Sequence, residues 1–220
     1  MHKLPKFKNK KLYEQSFTHR SYLNETKEKL DSNERLEFLG DSILSFVVSE
    51  HLYSNYPDFD EGTLTNVRAL LVNTKTLAQV AKELEFGKFL KLSKGEEEAK
   101  GRENVSLLAD CFEAFVGALF LDQGIRETKK FIDRVLLPKA QLFVEKKTFK
   151  DPKSLLQEFI QAKKQESPIY SVIKEEGPPH KKVFTVVVST GAKILGKGKG
   201  NSKQEAEKNA ASQALYILKS

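Results

Sequence analysis

The chain has 220 residues, of which 39% are hydrophobic and 30% are charged, and its formal net charge is +7. This balance is typical of a folded globular protein, and it excludes a long disordered chain. The length suffices for one large hydrophobic core or for two smaller domains.

Three features of the sequence predict the compartment. The longest apolar run, Val105 to Leu121, contains two acids and is shorter than the roughly 20 residues of a membrane-spanning helix. The N-terminus, MHKLPKFKNKK, has no apolar segment after its basic residues, so no signal peptide is predicted. The single Cys111 cannot form an internal disulfide, which fits a reducing environment. We expect a cytoplasmic protein without a membrane partner.

The first two thirds of the chain predict a helical bundle. Apolar residues recur at helical spacing in 36–53, 64–84, 105–121 and 128–144, and no alternating strand pattern is convincing. Helix-ending residues separate these runs, namely Pro57, Gly62, Gly87, Gly95, Gly101, Gly124 and Pro138. We therefore predict an all-α domain over residues 1–146.

A narrow acidic stripe lies on the helix predicted over 33–48. At helical spacing, Glu34, Glu37 and Asp41 fall within an arc of about 60°. The opposite side is predicted to be buried and holds Leu36, Leu39, Ile43, Phe46 and Val47. Phe38 and Leu44 are predicted to flank the stripe. A solvated helix edge is the alternative interpretation.

The apolar run 105–121 contains a second pair of acids. Asp110 and Glu113 are its only charges, and they project from one helix face because they are three residues apart. Two such pairs predict four acids around one site, and a divalent cation is what would compensate their charge. Oxygen ligands without Cys or His favour Mg²⁺ or Mn²⁺ over zinc. Since most single acids are surface residues, an acidic surface without a metal stays open.

The pattern changes after the polar segment EKKTFKDPK at 145–153, where we place a linker at 147–152. A short helix over 154–164 is followed by three strand-like runs at 169–176, 182–189 and 192–200. A last helix over 202–218 begins at a capping box formed by Ser202 and Glu205. This α-β-β-β-α order over residues 153–220 resembles that of a double-stranded-RNA-binding domain. The predicted fold class is thus an all-α domain followed by a small α+β domain.

The charge distribution agrees with that resemblance. Residues 1–149 hold 24 basic and 23 acidic residues, whereas residues 150–220 hold 13 basic and 7 acidic residues. An excess of positive charge confined to one segment favours a polyanion partner.

Motifs along nearly the whole chain identify it as similar to the bacterial ribonuclease III family. NERLEFLGD at 33–41 is close to the family signature, and THRSY (18–22), EGTL (61–64), GEE (95–97), GR (101–102) and LADCFEAFVGALFLD (108–122) follow the family order. PPHKK (178–182) and GKGKGNSKQEAEKNAA (196–211) resemble the RNA-binding domain of that family.

The resemblance implies roles for individual residues. The residues that match the metal ligands of the family are Glu37, Asp41, Asp110 and Glu113, and Asp41 and Glu113 match those given as catalytic. Glu34 and Glu61 match two auxiliary acids, for which a structural, an RNA-contacting and a direct role all stay open. Phe38 matches an aromatic residue that inserts into a partner subunit, so a homodimer is implied. Mg²⁺ is the expected cofactor, with Mn²⁺ as its substitute and no organic cofactor.

Three groups of the second domain are the predicted contacts to duplex RNA, whose A-form shape proteins recognise through 2′-hydroxyls and phosphates. They are Gln157, Glu158 and Gln161 on its first helix, His180, Lys181 and Lys182 in a strand-connecting loop, and Asn201, Lys203 and Lys208 near the start of the last helix. For each lysine taken alone, a solvated surface charge is the alternative.

The implied activity is hydrolysis of double-stranded RNA to 5′-phosphate and 3′-hydroxyl ends with short 3′ overhangs. Processing of ribosomal RNA precursors and of some messenger and transfer RNA transcripts is implied with it. Two other hypotheses stay open at this point, a regulator that binds duplex RNA without cleaving it and a structural helical dimer with a basic tail.

Overall fold

The computed structural model describes residues 4–27, 29–145, 152–178 and 181–219. The chain divides into two compact units, residues 1–149 and 150–220. Of the predicted linker 147–152, only Pro152 is described, and it begins a helix. The linker therefore stays a prediction.

The described part of the first unit is helical, as predicted. Its α-helices are α1 (Lys10–Ser16), α2 (Glu34–Asn55), α3 (Glu61–Leu71), α4 (Thr74–Glu83), α5 (Lys94–Glu98), α6 (Val105–Val135) and α7 (Pro138–Glu145). Short 3₁₀ helices lie at Arg20–Asn24, Phe86–Lys88 and Gly101–Glu103.

Side-chain caps fix where several of these helices begin. Asn73 accepts a hydrogen bond from the backbone N–H of Thr76 at 2.9 Å, so the apolar run 64–84 is divided into α3 and α4. Asp60 caps α3 through the N–H of Thr63 at 2.7 Å. Within α6, Gly124 leaves the helical conformation with φ of 77°, which bends the helix where the sequence predicts a break.

The core of the first unit is aromatic, and α2 and α6 form its centre. Phe115 is fully buried, and its ring centre lies 5.0 Å from that of Phe86 and 5.2 Å from that of Phe131. Cys111 is buried beside this cluster as a free thiol whose pKa is raised by burial. No described helix is long and apolar enough to cross a membrane.

Two burial predictions for α2 are wrong. Phe46 was placed in the core but is 62% exposed, whereas Leu44, placed beside the acids, is fully buried. The buried arc of α2 runs from Ile43 through Gly40 and Leu44 to Leu52, because α6 packs along that side. At 100° per residue, Phe46 falls outside this arc.

The second unit has the predicted α-β-β-β-α order. It comprises α8 (Pro152–Ala162), β1 (Ile169–Glu176), β2 (Val183–Thr190), β3 (Lys193–Gly200) and α9 (Lys203–Lys219), and the strands form an antiparallel sheet in the order β1-β2-β3. The helices cover one sheet face around a core of Leu156, Ile160, Val186, Val188, Ala210 and Ala214.

The sequence GKGKG at 196–200 allows this packing. A Cβ atom on Gly198 would lie 2.2 Å from the backbone nitrogen of Ala210, and one on Gly196 would lie 2.6 Å from the Ala210 carbonyl oxygen. Glycines on β3 therefore let α9 lie directly on the sheet, while the intervening lysines 197 and 199 stay exposed.

The predicted capping box forms at the start of α9, but one of its two hydrogen bonds goes to a different backbone N–H. The Ser202 hydroxyl accepts a hydrogen bond from the Glu205 N–H at 3.1 Å, as a capping box requires. The Glu205 carboxylate accepts from the N–H of Asn201 at 2.7 Å, one residue before the cap.

Candidate metal centre

Two glycines bring the acidic segments of α2 and α6 together. A Cβ atom on Gly40 would lie 1.8 Å from the carbonyl oxygen of Glu113, and one on Gly117 would lie 2.2 Å from the carbonyl oxygen of Leu36. The two backbones are thus in direct contact at this crossing. Because Glu37 lies about one turn before Gly40, and Glu113 about one turn before Gly117, the crossing places their carboxylates side by side.

Three of the four predicted metal ligands form one cluster. One carboxylate oxygen from each of Glu37, Asp110 and Glu113 lies within 4.8 Å of the other two, and all three side chains are half-buried. Two oxygens bound to the same Mg²⁺ are at most about 4 Å apart, so rotamer adjustments of under about 1 Å suffice to bind one ion. The donor set of half-buried carboxylates without Cys or His fits Mg²⁺ or Mn²⁺.

The electrostatics of the cluster favour a cation. Burial, together with the charges of Asp41, Glu37 and Asp110, raises the pKa of Glu113 from 4.5 to about 8. Burial also raises the pKa of Glu37, and among the neighbouring charges Asp110 contributes most to this rise. A divalent cation removes this cost because it replaces mutual repulsion with attraction.

The other predicted acids lie outside this group of three. Asp41 is exposed one turn after Glu37, and its charge still raises the pKa of Glu113. Glu34 lies beside the cluster, where its carboxylate accepts from Ser32 Oγ at 2.9 Å. The structure does not bring Glu61 to the cluster. It lies in the first turn of α3, where its carboxylate accepts from Thr65 Oγ1 at 3.2 Å.

A cleft of about 280 Å³ adjoins the cluster, and the sequence predicted a role for three of its eight residues. We call it the Asn33 cleft. It is lined by His19, Arg20, Asn33, Glu34, Glu37, Leu90, Leu107 and Asp110. The motif THRSY supplies His19 and Arg20, and its match to the family could have drawn attention to them. Nothing in its sequence indicates that it lies beside the acids.

Backbone contacts hold THRSY at this position. The N–H of His19 donates to Lys91 O at 3.1 Å, and the N–H of Asn33 donates to Thr18 O at 2.9 Å. Arg102 of the GR motif fixes the other side, since its guanidinium donates to Leu90 O at 2.8 Å. Segments far apart in sequence therefore form the wall of the Asn33 cleft.

The apolar side of α2 turned away from α6 is exposed. Phe38 is 79% exposed and lines a groove of about 700 Å³ together with Leu12, Leu39 and Leu121. Phe46, which was predicted to be buried, and Tyr53, which the sequence did not single out, are also exposed on α2. Three large exposed side chains on one helix are typical of a surface that another protein covers.

The predicted RNA-binding residues of the second unit are exposed wherever the structure describes them. They are Gln157, Glu158 and Gln161 on α8, Lys181 and Lys182 before β2, and Asn201, Lys203 and Lys208 at or near the start of α9. His180 lies outside the described residues.

Glu175 joins two of these groups and was not predicted. Its carboxylate lies 3.3 Å from Lys182 Nζ and 3.5 Å from Lys203 Nζ. The hydrogen bond from Lys182 lowers the pKa of Glu175. The segment before β2 and the start of α9 therefore meet at this side chain.

Comparison with known proteins gives the same division of the chain. Residues 9–140 match a family model described as Ribonuclease-III-like, and residues 152–218 match one described as Double-stranded RNA binding motif. The chain is 44% identical to Ribonuclease 3 of Borreliella afzelii, covering 96% of this chain and 86% of that protein. It is 47% identical to Ribonuclease 3 of Oceanobacillus iheyensis, covering 95% of this chain and 92% of that protein.

Two solved structures are similar to this one. The nuclease domain of Ribonuclease III from Campylobacter jejuni has a TM-score of 0.56 at 39% identity and covers 60% of this chain and 90% of its own. Its title names a region involved in dimer formation. Dicer from Pichia stipitis has a TM-score of 0.51 at 34% identity, covering 97% of this chain and 96% of its own.

Proposed function

This chain belongs to the ribonuclease III family of double-strand-specific endoribonucleases, and from that premise we propose that it hydrolyses RNA at a divalent-metal site formed by Glu37, Asp110 and Glu113 with Asp41 beside them. The observation that supports the metal site most directly is the convergence of three carboxylate oxygens within 4.8 Å. Mg²⁺ is the proposed cofactor, and Mn²⁺ its substitute.

The residues of the chain prepare the site in two ways. The contact at Gly40 and Gly117 holds carboxylates from two helices at a fixed separation, so little reorganisation is needed when a cation binds. When bound, a divalent cation supplies a water of lowered pKa and stabilises a developing oxyanion. Asp41 and Glu113 are the proposed catalytic residues, because they match the catalytic acids of the family and because the charge of Asp41 acts on Glu113 at the cluster.

We also propose how the products arise. In-line attack of water on the phosphodiester leaves a 5′-phosphate on one product and a 3′-hydroxyl on the other. Two subunits joined through Phe38 would present two sites, one to each strand, and staggered cuts leave short 3′ overhangs. The exposure of Phe38 beside an apolar groove supports such a homodimer.

The proposal extends to binding and to substrates. Exposed residues on α8, before β2 and at the start of α9 are suited to hold A-form RNA, and Glu34 and Glu61 are proposed auxiliary acids. Ribosomal RNA precursors and some messenger and transfer RNA transcripts are the proposed substrates.

An end-labelled duplex assay tests the proposal. We expect the wild-type protein to cut a long RNA duplex only when Mg²⁺ is present, and Glu113→Gln to reduce the rate by at least about 100-fold. The matched control is Glu98→Gln, which removes an exposed acid of α5 outside the cluster and should cut at the wild-type rate. If Glu113→Gln and wild type cut equally, the proposed site is wrong.

The same assay separates cleavage from binding alone. With Ca²⁺ in place of Mg²⁺, both proteins should retard the duplex in a mobility-shift gel. Addition of Mg²⁺ should then cut the duplex bound to the wild-type protein and leave that bound to Glu113→Gln intact. A wild-type protein that retards the duplex and never cuts it would be a regulator instead.

A further inference from the structure

The Asn33 cleft contains hydrogen-bond donors as well as acids, and the charge of one donor, His19, acts on Asp110 of the metal centre. Its carboxylates belong to the cluster or adjoin it, whereas Asn33, His19 and Arg20 offer N–H groups. Leu90 and Leu107 complete the wall with apolar surface. Donors collected beside a group of acids are the arrangement needed to receive an anion next to the metal.

The Asn33 side chain is buried without a hydrogen bond. Only 3% of the residue is exposed, and its side chain does not cap α2, although Asn33 is the residue before that helix. Among residues 4–27, 29–145, 152–178 and 181–219, no group hydrogen-bonds its amide. The amide borders the Asn33 cleft, where an oxygen of a ligand could accept its N–H in place of water.

The hydrogen bonds of His19 determine which of its ring nitrogens can donate. Its Nδ1 accepts the N–H of Ser21 at 3.3 Å and lies 2.8 Å from Ser21 Oγ. Ser21 Oγ itself accepts the N–H of Ser93 at 3.0 Å, so its hydroxyl hydrogen is available to donate to Nδ1. Nδ1 is therefore the acceptor in the neutral ring, and Nε2–H is the donor that the ring can offer to the cleft.

Arg20 carries a positive charge that can move from its present partner, Glu34, to a phosphate. Its guanidinium lies 3.5 Å from Glu34 Oε1, and both side chains are more than half exposed. Such a long, exposed ion pair holds the arginine weakly. A phosphate oxygen can accept from the guanidinium in a stronger, charge-assisted geometry.

We propose that the Asn33 cleft is a phosphate subsite that binds the RNA phosphate adjacent to the one being cleaved. The proposal rests on the proposed function and deepens it, since a strand that passes the metal cluster must carry its next phosphate past a neighbouring surface. Asn33, His19 and Arg20 donate to the non-bridging oxygens of that phosphate. Glu34, which faces the same cleft, loses its contact with Arg20 when the phosphate enters.

Methylphosphonate substitution tests the subsite without requiring cleavage. A short RNA duplex in which the linkage adjacent to the scissile one is neutral should bind the full-length wild-type protein in Ca²⁺ about 10-fold more weakly than the unmodified duplex. Asn33→Ala, His19→Gln and Arg20→Gln should each weaken binding of the unmodified duplex by several-fold. When one of these variants binds the duplex with the neutral linkage, affinity should fall little further, because the contact between the residue and that phosphate is already missing.

A matched histidine and the metal response serve as controls. His51→Gln removes the other half-buried histidine among residues 4–145, at the far end of α2, and should bind as the wild type does. The rise in melting temperature that Mg²⁺ causes should be the same in Asn33→Ala, Arg20→Gln and wild type, which reports an intact metal centre. Arg20 is exposed, so Arg20→Gln keeps the test valid if Asn33→Ala does not fold.

Two outcomes overturn the subsite. In the first, a variant and the methylphosphonate together weaken binding by the product of their separate factors, which would show that the residue and the phosphate act independently. A smaller Mg²⁺ response in Asn33→Ala would assign the cleft to the metal. Failure of the proposed function looks different, since the binding results in Ca²⁺ would stand while the wild-type protein left the duplex uncut in Mg²⁺.

Discussion

Glu113 is the residue whose environment differs most from that of a surface acid. It lies on a helix that is otherwise apolar, and burial with three neighbouring carboxylates raises its pKa to about 8. The folded protein without metal therefore holds a proton near neutral pH that the unfolded chain has released. Cation binding must displace such protons, so metal affinity rises with pH.

The raised pKa predicts how stability depends on pH in EDTA. Between about pH 4.5 and pH 8 the folded state binds more protons than the unfolded state, so the free energy of unfolding is largest at the acidic end and falls as pH rises. Glu113→Gln should reduce this fall and at pH 8 raise the melting temperature by about 2–4 °C, as expected for about 1 kcal/mol. Circular dichroism melts at pH 5 and pH 8 measure it, since the chain has no tryptophan. A variant that melts below wild type at pH 8, yet equals it at pH 5, contradicts the prediction.

At the scale of secondary structure, the crossing of α2 and α6 determines the site. Cluster residues come from both helices, and the distance between them depends on two glycines whose missing side chains let the backbones touch. The glycines of β3 do the same for α9 in the second unit. In both units, small residues set how closely the main elements pack.

Gly40→Ala should disrupt the crossing and the metal site together. Its Cβ would lie 1.8 Å from the backbone oxygen of Glu113, so the helices must separate, at a cost of about 1–3 kcal/mol in the free energy of unfolding. Glu37 then moves from Glu113, and the Mg²⁺-induced rise in melting temperature should shrink.

Gly62→Ala is the control for this effect. The nearest atom to its Cβ is 3.9 Å away, on the Asp60 side chain, so stability should change by less than about 1 kcal/mol. Urea unfolding with and without Mg²⁺ compares the two variants. Equal stability of Gly40→Ala and wild type would show that the helices tolerate the methyl group.

For the whole molecule, the sequence predicts the order of elements better than their contacts. The three strands and the helix after them are periodic in sequence and lie within about two residues of their predicted positions. The carboxylate pairs of α2 and α6 were also visible, because each is isolated in an apolar run.

The Asn33 cleft was not visible, and the reason is physical. His19, Asn33 and Leu90 meet through hydrogen bonds between segments far apart in the chain, and such contacts leave no local pattern. The misplacement of Phe46 and Leu44 has the same origin, because the position of α6 decides which arc of α2 is buried.

The proposed homodimer gives a prediction at this scale. Phe38→Asp places a charge on the exposed apolar side of α2, so sedimentation should show a monomer where the wild type shows a dimer. Ile194→Asp, at an exposed position of β3 in the second unit, is the control and should leave the dimer intact. A dimeric Phe38→Asp protein would place the subunit contact elsewhere.

The carboxylate of Glu175 between Lys182 and Lys203 has a consequence for selectivity. Any polyanion that reaches these lysines must first displace an anion that the protein itself supplies. A lone phosphate or a flexible single strand gains little from that exchange, whereas a rigid duplex that touches all three surface groups at once gains from the others. We therefore expect the domain to bind weak competitors poorly, and its affinity to fall less steeply with salt than the number of its lysines implies.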